Sequence, residues 1–333
     1  MTTFTAMTWN VENLFAPKID APLEDHVTYA FKLNLLANVI TQADPDVIGL
    51  QEVGGEEPLH DLQLALNDAY PNRIVSAFPD GRGIRVAFLT RLEVTRVEDI
   101  VDFLPGPATQ IFSLSSDNQS IPINRMSRGA LLMRVKKEDL EVTLVNAHLK
   151  SKLLSFRTAS GHSSFAPVDE YQRAQVAGIA LHKRAAEAVT LRDRINRLVE
   201  RTNNVPLILL GDFNDVPEAQ TSLLLLGPPG SELGTRGFNR ADAGDDARLF
   251  NLAALIPQGR RFSRIHHGRE ELLDQILVSE EMLPRNMEGD RVLPVADSII
   301  DYVDNMPTVT DNPLLRVDEV PPDHAPVVAW FVL

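Results

Sequence analysis

Apolar residues along the chain alternate between short runs, typical of buried strands, and longer stretches with helical spacing. Over the first ninety residues this pattern predicts a strand, a helix, a strand, a helix and two further strands, which is typical of an α/β domain. The predicted strands cover 4–9, 47–50, 74–77 and 86–90, and the predicted helices cover 25–40 and 59–69.

The rest of the chain carries the same kinds of element, separated by longer irregular segments. Strands at 130–135 and 142–147 flank a charged turn, the pattern of a hairpin, and a long apolar stripe predicts a helix over 169–201. Further strands are expected at 207–210, 275–278 and 327–332, with an irregular acidic stretch over 284–322. No repeat, heptad array or Gly/Ser linker is present, which favours a single domain over 1–333 with loop insertions near 151–168, 227–246 and 284–320.

The composition excludes several kinds of chemistry. The 333 residues include no cysteine, so thiol nucleophiles, disulfides, cysteine-ligated zinc and iron–sulfur clusters are excluded. A metal ion would have to be held by carboxylates, amides, histidine or water.

The charge and the N-terminal sequence limit the partners. The 32 Lys and Arg residues against 46 Asp and Glu give a net charge of -14, which argues against nucleic-acid binding through bulk positive charge, although a local basic cleft is compatible with it. We see no signal peptide and no membrane span, so a cytoplasmic protein is expected. No obligatory protein partner is inferred.

Several predicted strands end abruptly in acids, amides or histidines. Because desolvated carboxylates need partners or a cation, these polar ends suggest one shared cleft at the edge of a sheet. Taken alone, Asp212 could cap a helix and His148 could be a satisfied buried histidine. The six polar ends are Asn10-Val11-Glu12, Gln51-Glu52, Asn146-Ala147-His148, Gly211-Asp212-Phe213-Asn214, Leu273-Asp274 and Asp323-His324.

In order and spacing, these six motifs resemble the endonuclease/exonuclease/phosphatase superfamily, which includes deoxyribonuclease I and the abasic-site endonucleases. The resemblance runs over residues 4–333 and is most similar to a bacterial nuclease-like branch. It implies an α/β (α+β) fold in four layers, with two facing mixed β-sheets flanked by helices. It also implies hydrolysis of a phosphate ester by an in-line water with a divalent cation, Mg²⁺ first and Mn²⁺ or Ca²⁺ as alternatives.

The resemblance implies a metal site built from hard oxygen ligands. Glu52 is the first choice of ligand, with Glu12 and Asp323 as further contributors, directly or through water. Asn10 is expected at the same site or on the substrate phosphate. Mg²⁺ keeps several waters, so one or two carboxylates plus the phosphate suffice.

The resemblance also implies the catalytic roles. Asp212 would orient or deprotonate the attacking water and Asn214 would hold that geometry. His324 would stabilise the phosphate in the transition state, with Asp274 orienting its ring. His148 matches a second histidine that helps to protonate the leaving oxygen.

Basic residues near these motifs are candidates for phosphate binding. Arg128 matches a position that donates to a phosphate, and a guanidinium suits this role because its planar fork pairs two oxygens. Lys150 is expected to bind phosphate, with Lys152 beside it, and the alternative is a pair of solvated surface lysines.

Three positions depart from the pattern of the family. Arg85 stands where an acid would pair with His148, which puts the acid role of His148 in question. Pro322 precedes Asp323 in place of the usual serine, and Gln275 follows Asp274. The adjacent histidines at 266–267 are expected to point apart in a strand, as a surface pair rather than joint ligands.

Three functions are compatible with these residues. The first is a nuclease acting on phosphodiester bonds of nucleic acid, and the second is a phosphatase or phosphodiesterase on a small metabolite or lipid head group. The third is a catalytically silent binding scaffold, which predicts that at least one key residue is lost. All five key residues are present: Glu52, Asp212, Asn214, Asp274 and His324.

Overall fold

Two six-stranded mixed sheets face each other, and helices cover their outer sides. The structure is a computed structural model that describes residues 2–114, 120–154, 156–157, 163–199, 205–227, 248–284, 286–302, 306–310 and 320–333. The strands are β1 (Thr3–Leu14), β2 (Val47–Val53), β3 (Asn72–Val75), β4 (Arg85–Thr90), β5 (Glu93–Asp102), β6 (Ile111–Leu114), β7 (Ser120–Ile123), β8 (Arg125–Lys137), β9 (Leu140–His148), β10 (Phe156–Arg157), β11 (Ser163–Ser164), β12 (Leu207–Asp212), β13 (Leu249–Asn251), β14 (Arg264–His266), β15 (Arg269–Glu271), β16 (Asp274–Ser279), β17 (Val295–Ser298), β18 (Thr308–Val309) and β19 (Val327–Val332). The α-helices are α1 (Leu23–Ala43), α2 (Glu56–Ala65), α3 (Glu170–Val199) and α4 (Gln220–Leu226).

The first sheet has the strand order β17-β19-β1-β2-β4-β3, and the second has the order β13-β16-β12-β9-β8-β5. Smaller sheets are formed by β6 and β7, by β10 and β11, and by β15, β14 and β18. The four-layer α/β sandwich expected from the resemblance is confirmed.

The strands at the centre of each sheet are buried on both faces. In β2, Val47 packs in the core between the sheets, whereas Ile48 packs on the outer side with α1 and α2. Leu191 and Ile195 of α3 pack likewise on the outer face of the second sheet. Burial of both faces explains why these strands read as continuous apolar runs in the sequence.

The strand directions bring the polar ends to one edge of the sandwich. β1 and β2 are parallel, as are β9 and β12, so their carboxyl ends meet at the same edge. β16 runs antiparallel to β12, with Asp274 opposite Asp212. β19 begins beside Thr8 of β1, which places Asp323 and His324 at this edge as well.

The sequence pattern missed several elements that the structure contains. The stretch over 284–322 was predicted as irregular, but β17 lies within it and forms the outermost strand of the first sheet. β5 is also an edge strand and was missed because its sequence is rich in charged residues. Most of the insertion at 227–246 lies outside the described residues. In the described part of the chain, no helix has the length and apolarity needed to span a membrane.

Candidate active site

A cleft of about 500 Å³ opens at the edge where the polar strand ends meet. Side chains from both sheets line it, including Arg128 of β8, together with Lys152 of the segment after β9. Asp274 lies behind this surface and is fully buried, and Lys150 is not among the lining residues. The predicted site residues that line the cleft are Asn10, Glu12, Glu52, Arg128, His148, Asp212, Asn214, Asp323 and His324.

Asp212 is held at the end of β12 by groups from both sheets. Its Oδ2 accepts a hydrogen bond from Nδ2 of Asn10 at 3.0 Å, and its Oδ1 accepts one from the backbone N–H of Asn214 at 2.8 Å. Burial raises the pKa of Asp212 to about 6, although the nearby His324 lowers it. The carboxylate can therefore accept a proton from water near neutral pH.

Gly211 permits the close strand contact that positions Asp212. Its φ is +145°, and a Cβ there would lie 1.9 Å from the carbonyl oxygen of Ala147 in β9. Only glycine allows the two backbones to approach this closely at the end of the sheet.

His324 is paired with a buried acid. Its Nδ1 lies 2.6 Å from Oδ2 of Asp274, and its carbonyl accepts a hydrogen bond from Nε1 of Trp9 at 2.8 Å. Burial lowers the pKa of His324, but the charges of Asp274, Asp323 and Asp212 outweigh it and raise the pKa to about 10. The ring is thus an imidazolium at neutral pH.

His148 has the opposite electrostatic environment. Its Nε2 lies 3.3 Å from Oδ2 of Asp212 and 3.9 Å from Oε1 of Glu52. Burial, followed by the charges of Arg128 and His324, lowers its pKa well below the ordinary value. His148 is therefore neutral at physiological pH.

Arg85 does not pair with His148. Its Nη1 donates to the carbonyl oxygen of Ser76 at 2.9 Å. The Nδ1 of His148 is buried and has no hydrogen-bond partner among the described residues. An acid that pairs with Nδ1 in the manner expected of the family is thus missing from the described part of the chain.

The carboxylates of Glu12 and Glu52, which are expected to hold a metal, each accept a hydrogen bond from a backbone N–H at the edge of the cleft. The backbone N–H of Asn13 donates to Oε2 of Glu52 at 3.1 Å, and that of Asp323 donates to Oε2 of Glu12 at 2.9 Å. Lys32 of α1 donates to the carbonyl of Glu12. Glu12, Asn13 and Glu52 all have left-handed φ angles, from +46° to +65°, where the two strands end.

These carboxylates suit an ion such as Mg²⁺, which retains water ligands, better than an ion that needs all of its ligands from the protein. The described residues contain no cluster of three or more acidic or histidine side chains suited to holding a metal. Mg²⁺ accepts such an arrangement because it binds one or two carboxylates and retains water ligands. Glu52, with Glu12 and Asp323, supplies hard oxygen atoms of this kind.

Arg128 and Lys150 differ in their access to the cleft. Arg128 lines it, lies 3.3 Å from Oδ2 of Asp80 and donates to the carbonyl of Leu149 at 3.2 Å. The ammonium of Lys150 instead donates to the carbonyl oxygens of Ser151 and Leu153, each at 3.0 Å. The loop backbone therefore binds Lys150, and Lys152 is the lysine at the cleft.

Sequence reasoning missed two arrangements that depend on packing. Gln51 of β2 donates from Nε2 to Oδ1 of Asn146 of β9 at 2.7 Å, which links the two sheets directly beneath the cleft. The side chains of His266 and His267 were expected to point in opposite directions, but their ring centroids are only 4.4 Å from each other. The cause is a left-handed φ of +48° at His267, which breaks the strand alternation.

Comparisons with known proteins agree with this architecture. The model of the endonuclease/exonuclease/phosphatase family matches residues 7–311. TDP2 from C. elegans is 15% identical over 99% of this chain and 75% of its own, with a TM-score of 0.56. A family protein from Bacteroides thetaiotaomicron is 16% identical over 100% of this chain and 96% of its own, with a TM-score of 0.54.

A third solved structure carries a named activity. ANGEL2, described as a 2′,3′-cyclic phosphatase, is 15% identical over 99% of this chain and 95% of its own, with a TM-score of 0.55. No curated protein matches this chain. Members of the superfamily are hydrolases of phosphate esters and generally use a divalent metal. The family match over most of the chain, together with the fold, establishes that this protein belongs to the endonuclease/exonuclease/phosphatase family.

Proposed function

We propose that this protein hydrolyses a phosphodiester by in-line attack of a water molecule, in the presence of a divalent metal. The observation that carries the proposal is the placement of two buried groups of opposite charge at one cleft. Asp212 can accept a proton near neutral pH, and His324 carries a positive charge held by Asp274. This combination supports a general base and a charge-stabilising group for the same reaction.

In the proposed reaction, Asp212 takes a proton from the attacking water as the water oxygen bonds to phosphorus. The P–O bond of the ester breaks, and the leaving oxygen takes up a proton from solvent. Asn10 and Asn214 hold the two oxygens of Asp212, so the carboxylate keeps one orientation. His324 would donate from Nε2 to a phosphate oxygen as negative charge develops there, and Arg128 would bind another phosphate oxygen.

The metal would be held by Glu52, with Glu12 and Asp323 beside it. When bound, Mg²⁺ supplies positive charge that polarises the phosphate group. His148 is proposed to donate from Nε2 toward Asp212 as a neutral ring, because its low pKa argues against an imidazolium that protonates the leaving oxygen.

Two classes of substrate are compatible with this chemistry. A nuclease is the first candidate, since the motifs match that branch of the family. A small phosphoester is the second candidate, and the net charge of -14 favours it because a strongly acidic protein gains little from neutralising nucleic-acid phosphates.

The test is hydrolysis by wild type, by His324→Ala and by the control His60→Ala, which changes an exposed histidine of α2. Supercoiled plasmid, a chromogenic phosphodiester and a phosphomonoester are incubated with Mg²⁺ or with a chelator. Hydrolysis of the plasmid or of the chromogenic phosphodiester that requires both the metal and His324 supports the proposal, whereas hydrolysis of the phosphomonoester alone contradicts it. Activity that survives in folded His324→Ala, or inactivity of folded wild type on every substrate, contradicts it.

A further inference from the structure

Every Lys and Arg side chain that lines the cleft in the described structure already has a carboxylate partner within this chain. A polyanion gains affinity chiefly from cations that neutralise several of its phosphates. Cations that are already paired contribute less to such binding. The ion pairs are Arg82–Asp80 (3.5 Å), Arg128–Asp80 (3.3 Å), Lys152–Asp215 (3.5 Å), Lys152–Glu271 (3.6 Å), Arg173–Glu170 (2.6 Å) and Arg264–Asp323 (3.4 Å).

The same cleft has an apolar wall that the catalytic residues do not explain. It is formed by Leu153, Leu154, Phe165 and Ala177. The side chain of Phe165 is 42% exposed, and the other three are partly exposed. These four residues line the same cavity as His148 and Lys152. Apolar surface inside a polar cleft gains free energy when a ligand covers it.

We infer that the substrate is a phosphoester with one phosphate group in the cleft and a hydrocarbon substituent that packs on Leu153, Leu154, Phe165 and Ala177. The inference rests on the proposed function and narrows its substrate class. Arg128 lines the cleft, and the atom that forms its ion pair with Asp80 is Nε, so the guanidinium is the candidate group for binding the single phosphate. The other Lys and Arg side chains of the cleft also lie beside carboxylates, which disfavours a long nucleic-acid strand.

The test measures binding separately from turnover. Calorimetry with a chelator in place of Mg²⁺, so that no metal-dependent hydrolysis occurs, gives the dissociation constants of methyl, butyl and hexyl phosphate for wild type. Affinity is expected to rise about fourfold for each methylene that contacts the wall. Leu154→Ser and Phe165→Ser should remove most of this dependence on chain length. The control Leu224→Ser changes a 40% exposed leucine of α4 outside the cleft and should retain it.

Two results would overturn the inference. One is equal affinity for all three phosphates. The other is tighter binding of a short single-stranded oligonucleotide than of hexyl phosphate, with an affinity that falls steeply between about 50 and 200 mM salt. The proposed function fails on a different observation, namely that wild type shows no hydrolysis that requires the metal and His324. Cosedimentation with phosphatidylglycerol vesicles identifies a lipid as the source of the ester, whereas binding of the soluble phosphates alone identifies a free metabolite.

A separate observation concerns Glu187 of α3, whose side chain is fully buried. Its Oε1 accepts a hydrogen bond from the backbone N–H of Ser127 at 2.9 Å, and its Oε2 accepts one from that of Lys150 at 2.6 Å. One carboxylate thus joins β8 to the segment after β9. Arg128 follows Ser127 and donates to the carbonyl of Leu149, which precedes Lys150.

We propose that Glu187 is a positioning residue for Arg128. Because it fixes the backbone on both sides of the Arg128–Leu149 hydrogen bond, it holds the guanidinium at the cleft. The expected effect of Glu187→Gln is a roughly tenfold weaker binding of methyl phosphate, since one of the two acceptor oxygens is lost.

A double-mutant cycle distinguishes positioning from general stability. In an Arg128→Ala background, Glu187→Gln should cause no further loss of methyl phosphate binding, because the group that it positions is gone. Glu187→Asp, which keeps the buried charge, is the second variant if Glu187→Gln does not fold. Asp193→Asn, in an ion pair with Arg197 on the same helix, is the control. The proposal is overturned if the fold losses in methyl phosphate affinity of the two single variants multiply in the double variant.

Discussion

The Nδ1 atom of His324 lies 2.6 Å from Oδ2 of Asp274, although the two residues are 50 positions apart in the sequence. Asp274 begins β16 of the second sheet, whereas His324 precedes β19 of the first. The pair therefore connects the two sheets at the cleft. It also keeps a positive charge in a place where burial alone would remove it.

Asp274→Asn should reduce kcat/KM about 10²-fold, because the imidazolium loses the charge that favours it. The pKa of His324 should fall at the same time, and a proton NMR titration of its ring measures that shift. Asp301→Asn is the control, since it changes an exposed acid paired with Arg260. An unchanged His324 titration in Asp274→Asn would show that Asp274 does not set the charge of the ring.

The pH dependence of kcat/KM should have two limbs. Asp212 must be deprotonated to act as a base, so activity should rise as the pH increases through about 6. His324 must be protonated, so activity should fall as the pH increases through about 10. Rates with a chromogenic phosphodiester across this range measure both limbs. A descending limb near pH 7 would contradict the assignment of His324.

Glu52→Gln should weaken divalent-metal binding at least about tenfold, because the substitution removes the charge of the carboxylate while its shape remains. Titration of the protein with Mn²⁺ in a calorimeter measures the affinity without any substrate. Glu24→Gln, at an exposed position in the first turn of α1, should bind as wild type does. Equal affinity of Glu52→Gln and wild type would remove Glu52 from the metal site.

Gly211→Ala should destabilise the fold by about 3 kcal/mol or more, because its Cβ would lie 1.9 Å from the carbonyl oxygen of Ala147 and φ is +145°. Gly178→Ala is the matched control in the interior of α3, where a Cβ meets no atom within 4 Å. It should stabilise by about 0.5–1 kcal/mol. Chemical denaturation measures both, and equal midpoints for the two variants would contradict the expected clash.

The sequence predicted the central strands and the location of the site for a simple physical reason. A strand such as β2 is apolar on both faces, so its end is marked sharply by Gln51 and Glu52. β5 and β17 were missed because edge strands carry polar residues and lack that contrast. Polar groups at the ends of parallel strands meet at one edge, and the cleft was therefore predictable.

The contacts that tune the site were not predictable from the sequence. The Asp80–Arg128 ion pair, the Gln51–Asn146 hydrogen bond and the burial of Glu187 each depend on how separate elements pack. No local pattern encodes such a distance. The hydrogen bond from Arg85 to the carbonyl of Ser76 was likewise not predictable, because it depends on the hairpin of β3 and β4.

The link between Gln51 and Asn146 has a consequence for how this protein unfolds. Because each sheet supplies only part of the cleft, a partly folded state in which one sheet has separated retains neither the Asp212–Asn10 bond nor the His324–Asp274 pair. Ligand binding and sheet docking should therefore be lost in one cooperative step. Slow amide exchange at the inner strands would then report on the same event as the loss of catalysis. A phosphate bound in the cleft would contact both sheets and so stabilise their docking.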